Sequence, residues 1–286
     1  MVHSGTRHHG YDTDTSELWW TKLTSMGWAN DIRVPNQNSK RRVSLAAFNG
    51  SLYMFHSGNA TVNEVWMSRF NPSTEQWSAN TRLAFTSDAA PAIASFNGVL
   101  QIVGVTPTTS QLFTVTMSPS EVFSAPAVIA NQTSTGPVSL APFGGRLVMA
   151  RGTPGGLSIN SFDGTAWSTD TAIAANATEG SLATYDGILH LVFSRHLTSD
   201  PYIADWSAVY WTYFNGVSWP APITVGTQQT SFQPRIASIG TTKTAALMML
   251  TGGNDGGVAG FPIPVRYETH PLWTSTYRSP PIGFGL

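Results

Sequence analysis

An aromatic residue returns along this chain at near-regular intervals. Trp28, Trp77, Phe123, Trp167, Trp219 and Trp273 lie 44 to 54 residues apart, which fits one four-stranded unit of about 40–50 residues each time. The clearest unit shows what each interval contains. Residues 43–48 are strand formers and lead into Asn49-Gly50, a dipeptide suited to the type I′ hairpin because both residues accept positive φ. An alternating run follows over residues 51–56, then a polar loop, then residues 64–70, with Val65, Met67 and Arg69 on one face and Trp66, Ser68 and Phe70 on the other. The turn Asn71-Pro72-Ser73-Thr74 leads to Trp77 and a last polar strand. These four strands are named A, B, C and D.

The same order returns through units marked by Asn97-Gly98, Gly144-Gly145 and Asp186-Gly187, and through a more worn unit near residues 235–273. The N-terminus begins inside a unit: Met1-Val2-His3-Ser4-Gly5 matches Met54-Phe55-His56-Ser57-Gly58. It supplies strands B, C and D over residues 1–33 but lacks strand A. Residues 279–286 resemble the A–B start of other units and fill that gap. The expected fold is all-β: a six-bladed β-propeller of four-stranded antiparallel blades, a single domain over residues 1–286, closed by strand A from 279–286 joining strands B–D from 1–33. The recurrent aromatics read mainly as packing between sheets, since each buries ~150–250 Å².

Composition agrees. Only 11% of residues are charged and the formal net charge is −1, so nothing drives the chain toward nucleic acid. The absence of cysteine removes disulfides and thiol chemistry and leaves the redox compartment open. No apolar run reaches the ~18 residues of a membrane-spanning helix, so no membrane insertion is expected. The N-terminus is polar and His-rich, with no signal-peptide core. A cytosolic location, export by a non-classical route and a missing leader all stay open, as does the oligomeric state.

In such a fold the B–C and D–A loops gather on one face, and loops carry function on a rigid scaffold. Two B–C loops stand out: residues 5–14, with His8 and Tyr11, and residues 194–206, with Arg195, His196, Asp200, Tyr202, Asp205 and Trp206. With Trp19 these form the candidate ligand site. The aromatics would stack on sugar rings, and the His, Asp and Arg side chains would take hydroxyls. His8, His9, Asp12 and Asp14 are adjacent without a spacing that converges them, so no metal, cofactor or catalytic group is assigned.

Two resemblances bear on function. The turns at residues 161–167 and 212–219 look like shortened relatives of the Asp-box of sialidases. That implies, as one alternative, a sialidase-like glycoside hydrolase with Arg151, Arg195 and Arg235 available for a substrate carboxylate, although glutamates are few and only Glu179 sits clearly in a loop of that face. The pattern aromatic–Asn/Asp–Gly–x–Leu, then Leu/Val–Trp/Tyr–x–x–x–Phe, then Asn/Asp–Gly–x–x–Trp–Ser resembles the repeats of tectonin-like and Photorhabdus-type seven-bladed propeller lectins across nearly the whole chain. It departs from them in blade number and in its worn second and fifth units. This resemblance implies a non-catalytic, multivalent glycan-binding lectin. A protein-interaction platform of a toxin or surface assembly is the third reading.

Overall fold

The computed structural model describes residues 1–5, 17–24, 27–39, 41–58, 63–177, 179–196, 207–214, 216–230, 234–239, 246–252, 265–269 and 277–278. The described residues form strands and turns, with no helix. The first sheet pairs Val2–Gly5, Glu17–Trp20 and Ile32–Asn38. The second runs Ser44–Phe48, Ser51–Ser57, Glu64–Asn71 and Thr81–Thr86, with short Gln76–Trp77 added at strand C. The third holds Ala92–Phe96, Val99–Val105, Gln111–Met117 and Ala127–Thr133. The fourth holds Ser139–Phe143, Arg146–Thr153, Gly156–Phe162 and Thr171–Ala174. The fifth holds Gly180–Tyr185, Ile188–His196, Ser207–Phe214 and Ile223–Thr230. The sixth holds Arg235–Ile239, Ala246–Gly252, Val265–Thr269 and Tyr277–Arg278.

Four sheets therefore have the expected four strands in sequence order, all antiparallel. The first has three among the described residues, and the segment expected to complete it, 279–286, lies outside them. Its strand C ends at Trp20; Leu23–Thr24 instead makes a separate small hairpin with Gly27–Trp28.

The chain divides into two compact units, Met1–Pro137 and Val138–Leu286. In the first, Leu18, Trp20 and Val34 pack against Met54 and Trp77, and Val65, Met67, Leu83 and Phe85 pack against Ile93, Ile102 and Phe113. In the second, Leu157 and Ile159 meet Leu182, Leu191 and Phe193, while Val192 and Val209 meet Ile236. Within each unit the sheets are thus stacked face on face in sequence order, a propeller-like arrangement. Fully buried side chains such as Phe55 and Phe193 contribute roughly 1.5–3 kcal/mol each.

The turns are built as their sequences dictate. Asn49 and Gly50 have φ of 46° and 74°, and Asn97 and Gly98 have 48° and 76°, the positive pair a type I′ turn demands. The recurrent aromatic stands just ahead of strand D, its ring against the last aromatic of strand C: Phe70 and Trp77 lie 5.2 Å apart, as do Phe162 and Trp167. The serine after it has a fixed task. Ser78, Ser124 and Ser168 accept from the strand-C amides of Arg69, Thr116 and Ser161, each at 3.0 Å. These hydroxyls satisfy backbone groups beside the two outer strands, which is why aromatic–Ser recurs in the sequence.

A charged strut joins the second and third sheets. Tyr53 Oη donates to Glu121 Oε1 at 2.7 Å, and Arg69 Nη1 donates to the same oxygen at 3.0 Å. The hydrogen bond from Tyr53, and then that from Arg69, hold the Glu121 carboxyl below its ordinary value. A carboxyl depressed in the folded state stabilises above its unfolded pKa, and that contribution is lost as pH falls through the folded value. The melting temperature should therefore fall more steeply below about pH 4.5 in the native chain than in Glu121→Gln. Parallel melting curves across that range would remove the strut from the account.

Candidate functional site

Strand C of the first two sheets opens on the same three-residue phrase. Glu17-Leu18-Trp19 and Glu64-Val65-Trp66 each follow a B–C loop directly. Strand alternation sends Leu18 and Val65 into the core, both fully buried, and puts the glutamate and tryptophan together on the other face. Strand D then supplies a partner, since Trp19 pairs with Arg33 and Trp66 with Arg82. In both sheets strand D carries extra residues between this pair and the next one, so its register slips there. Asn36 adopts a φ of 57° inside the first of these irregularities.

The side chains converge. Arg33 Nη2 lies 2.7 Å from Glu17 Oε1, and Arg82 Nη2 lies 3.0 Å from Glu64 Oε1. Trp66 Nε1 donates to Glu64 Oε2 at 3.2 Å. The carboxylates are sheltered, at 10% and 16% side-chain exposure, whereas the guanidinium groups are 49% and 58% exposed. Glu17 Oε2 is buried and accepts no hydrogen bond among the described residues. Gly58 leaves room for the second cluster: a Cβ there would fall 2.8 Å from Trp66 Nε1 and 3.1 Å from Glu64 Oε2. A cleft of about 330 Å³ opens beside it, lined by Glu64, Arg82 and residues 83–86 of strand D. That volume lies at the lower end of small-ligand pockets.

Each cluster offers an open guanidinium fork, a carboxylate with spare lone pairs and a half-buried indole. Since Glu and Arg neutralise each other, an ionic ligand gains little there. A neutral polyol can donate to the carboxylate, accept from the guanidinium and lay an apolar face on the ring. Among the described residues each cluster has one carboxylate, already bonded to its arginine, where glycoside hydrolysis ordinarily uses two carboxyl groups across the bond.

The same position in other sheets has diverged. In the third, Phe113 replaces the tryptophan opposite Val128 and is buried against Gly104. In the fourth, strand-B Arg151 pairs in register with Ser158, is 4% exposed, and bonds Asp170 Oδ2 at 2.6 Å. In the fifth, Tyr210 stands opposite Thr224, with Ala208 at the glutamate position.

Of the residues expected from sequence, Trp19 belongs to the first cluster. Arg195 lies over the rings of Phe193 and Tyr210, at 5.5 and 4.9 Å. His196 ends a strand opposite Ser207, and its side chain is outside the described part. His8, Tyr11, Asp200, Tyr202, Asp205 and Trp206 lie outside the described residues. Glu17, Arg33, Glu64, Trp66 and Arg82 are not among the residues expected from the sequence. Their signal in the sequence is the repeated Glu–x–Trp phrase, which opens strands instead of sitting in the loops.

A second cleft, of about 430 Å³, lies at the hairpin end of the second sheet and is lined by Arg69, Trp77 and Glu121 among others. Tyr53, which bonds the lining residue Glu121 from within the core, does not suit nucleophilic catalysis. Burial first, and the bond to Glu121 next, push the Tyr53 phenol above its ordinary value, which keeps the proton on oxygen.

No family model matches the sequence, and no curated protein is significantly similar to it. Solved structures are similar in fold. The crystal structure of AofleA from Arthrobotrys oligospora superposes with a TM-score of 0.69 at 9% identity, over 92% of this chain and 79% of that one. The structure of YjhT superposes with a TM-score of 0.57 at 12% identity, over 91% of this chain and 95% of that one. At such identities the likeness concerns fold alone. Together with the antiparallel four-stranded sheets, it supports a β-propeller fold.

Proposed function

We propose that this chain is a non-catalytic lectin that binds neutral glycans through its Glu–Trp–Arg clusters. One observation carries the reading: Glu17, Trp19 and Arg33 recur as Glu64, Trp66 and Arg82, at the same register and with the same ion pair. A packing role alone would not require two exposed arginines held by sheltered carboxylates. Two like sites on one scaffold would give avidity toward a glycan-bearing surface. The segments that carry His8 and Tyr11, and Asp200, Tyr202, Asp205 and Trp206 after strand-end His196, run directly into strand C of the first and fifth sheets. In this proposal they rim the ligand grooves.

The finer architecture belongs to the same proposal: a single six-bladed ring over residues 1–286, with 279–286 as the strand that pairs with Val2–Gly5 and completes the first sheet. Removing residues 279–286 should then lower the melting temperature sharply. A truncated chain that melts like the intact one would contradict the closure.

The lectin reading is tested by glycan-array binding together with a fluorogenic sialoside assay. Binding without turnover supports it. The hydrolase alternative is weakened by Arg151, which is buried and tied to Asp170. Sialoside turnover that disappears in Arg195→Ala would instead establish the hydrolase, and silence in both assays would favour the interaction platform.

A further inference from the structure

The fifth sheet rearranges the ingredients of the clusters in a way that changes the charge of the site. Tyr210 pairs with Thr224, and Ala208 pairs with Gln229, the register relation that Trp19 and Glu17 have with Arg33 and Asn38. The carboxylate is therefore replaced by a methyl group, and the strand-D arginine by a threonine. A guanidinium nevertheless returns from the other side. Arg195 on strand B pairs with Ala208, and its Cζ lies 4.9 Å from the Tyr210 ring centroid and 5.5 Å from that of Phe193. The two rings are themselves stacked, 5.6 Å apart and 12° from parallel.

This arginine differs from Arg33 and Arg82 in one respect that matters for a ligand. Both of those are bonded to a glutamate. Arg195 is half-buried, its contacts are the two rings, and its Nε–H is buried without an acceptor among the described residues. Ring faces attract the cation but leave its in-plane donors unused. A partly desolvated guanidinium without a counter-ion is costly, and the group that best fits its planar fork is a carboxylate.

We propose that the fifth sheet binds a carboxylate-bearing sugar at Arg195 and Tyr210, and so selects acidic glycans where the first two sheets select neutral ones. The proposal rests on the glycan-binding reading and extends it. The carboxylate would engage Arg195, and the sugar ring would lie toward the exposed part of Tyr210.

The test is an array of uronic-acid- and sialic-acid-terminated glycans, each printed beside its carboxyl-reduced counterpart, together with neutral glycans. Some acidic glycans should bind at least about tenfold more tightly than their reduced counterparts, a preference that weakens with added salt. Arg195→Gln should erase that preference, while Lys22→Gln, which removes an exposed ion pair on another sheet, should retain it. Circular dichroism and melting of both variants verify that they are folded. Equal binding of acidic and reduced glycans, or a preference that survives Arg195→Gln, would overturn the assignment. So would neutral binding by the native chain with no acidic glycan bound. Loss of both classes in the native chain would instead sink the lectin reading itself.

Discussion

Replacing Arg33 and Arg82 together by glutamine should abolish binding to a neutral-glycan surface while leaving the protein folded. Both side chains are about half exposed, at 49% and 58%, so the exchange costs little packing. The ligand loses a charge-assisted bond worth about 1.5–3 kcal/mol at each site, or roughly 10–100-fold in affinity per site. Each single variant should therefore weaken binding, and the double variant should lose avidity as well, which alone can be worth 10²–10⁴-fold. Lys22→Gln is the control, because it removes a cationic side chain of similar exposure, 47%, from an open ion pair with Glu75. Surface plasmon resonance on immobilised neutral glycan measures all four proteins. A double variant that binds like the Lys22→Gln control would disprove the role assigned to the clusters.

The second large effect concerns folding. Gly156→Ala should destabilise the second unit by about 4–5 kcal/mol, the range reached only by substitutions with a specific steric or electrostatic cause. Gly156 opens strand C of the fourth sheet with a φ of 117°, and a Cβ there would stand 2.2 Å from the Ala174 carbonyl oxygen and 2.9 Å from Ala175 Cα. Both obstacles are backbone, held by the pairing of Leu157 with Ala174, so neither can rotate away. Gly50 also has positive φ, but open space surrounds its missing Cβ, so Gly50→Ala carries only the conformational cost of about 1 kcal/mol. Thermal melts of the two variants should differ by roughly 10 °C or more. Similar melting of both would mean that strands C and D of the fourth sheet do not meet as described.

The fold was more legible than the site, and the reason is physical. Asn49-Gly50, Asn97-Gly98 and Asp186-Gly187 fix hairpins through local backbone preference, so they announce themselves in a single stretch of sequence. The aromatic–Ser phrase is similarly local, because Ser78 reaches a strand only nine positions away in sequence (from Arg69). The Glu–Trp–Arg clusters depend on pairing across a strand whose register slips. Nothing in residues 32–38 states that Arg33 will stand opposite Trp19, since that follows from extra residues accommodated around Asn36. Arg195 illustrates the opposite case. It belongs to strand B, one residue before that strand's end, and its place over Tyr210 comes from ordinary B–C pairing. Arg151, at a similar place in its own sheet, is instead consumed by Asp170, a difference that the strand pattern alone does not encode.

The most direct measurement is a crystal structure of the protein soaked with a neutral glycan drawn from the array. The account predicts a sugar ring against Trp66, with hydroxyls bonded to Glu64 and Arg82, and an equivalent ring at Trp19, Glu17 and Arg33. Sugar bound elsewhere, with both clusters bare, would contradict it.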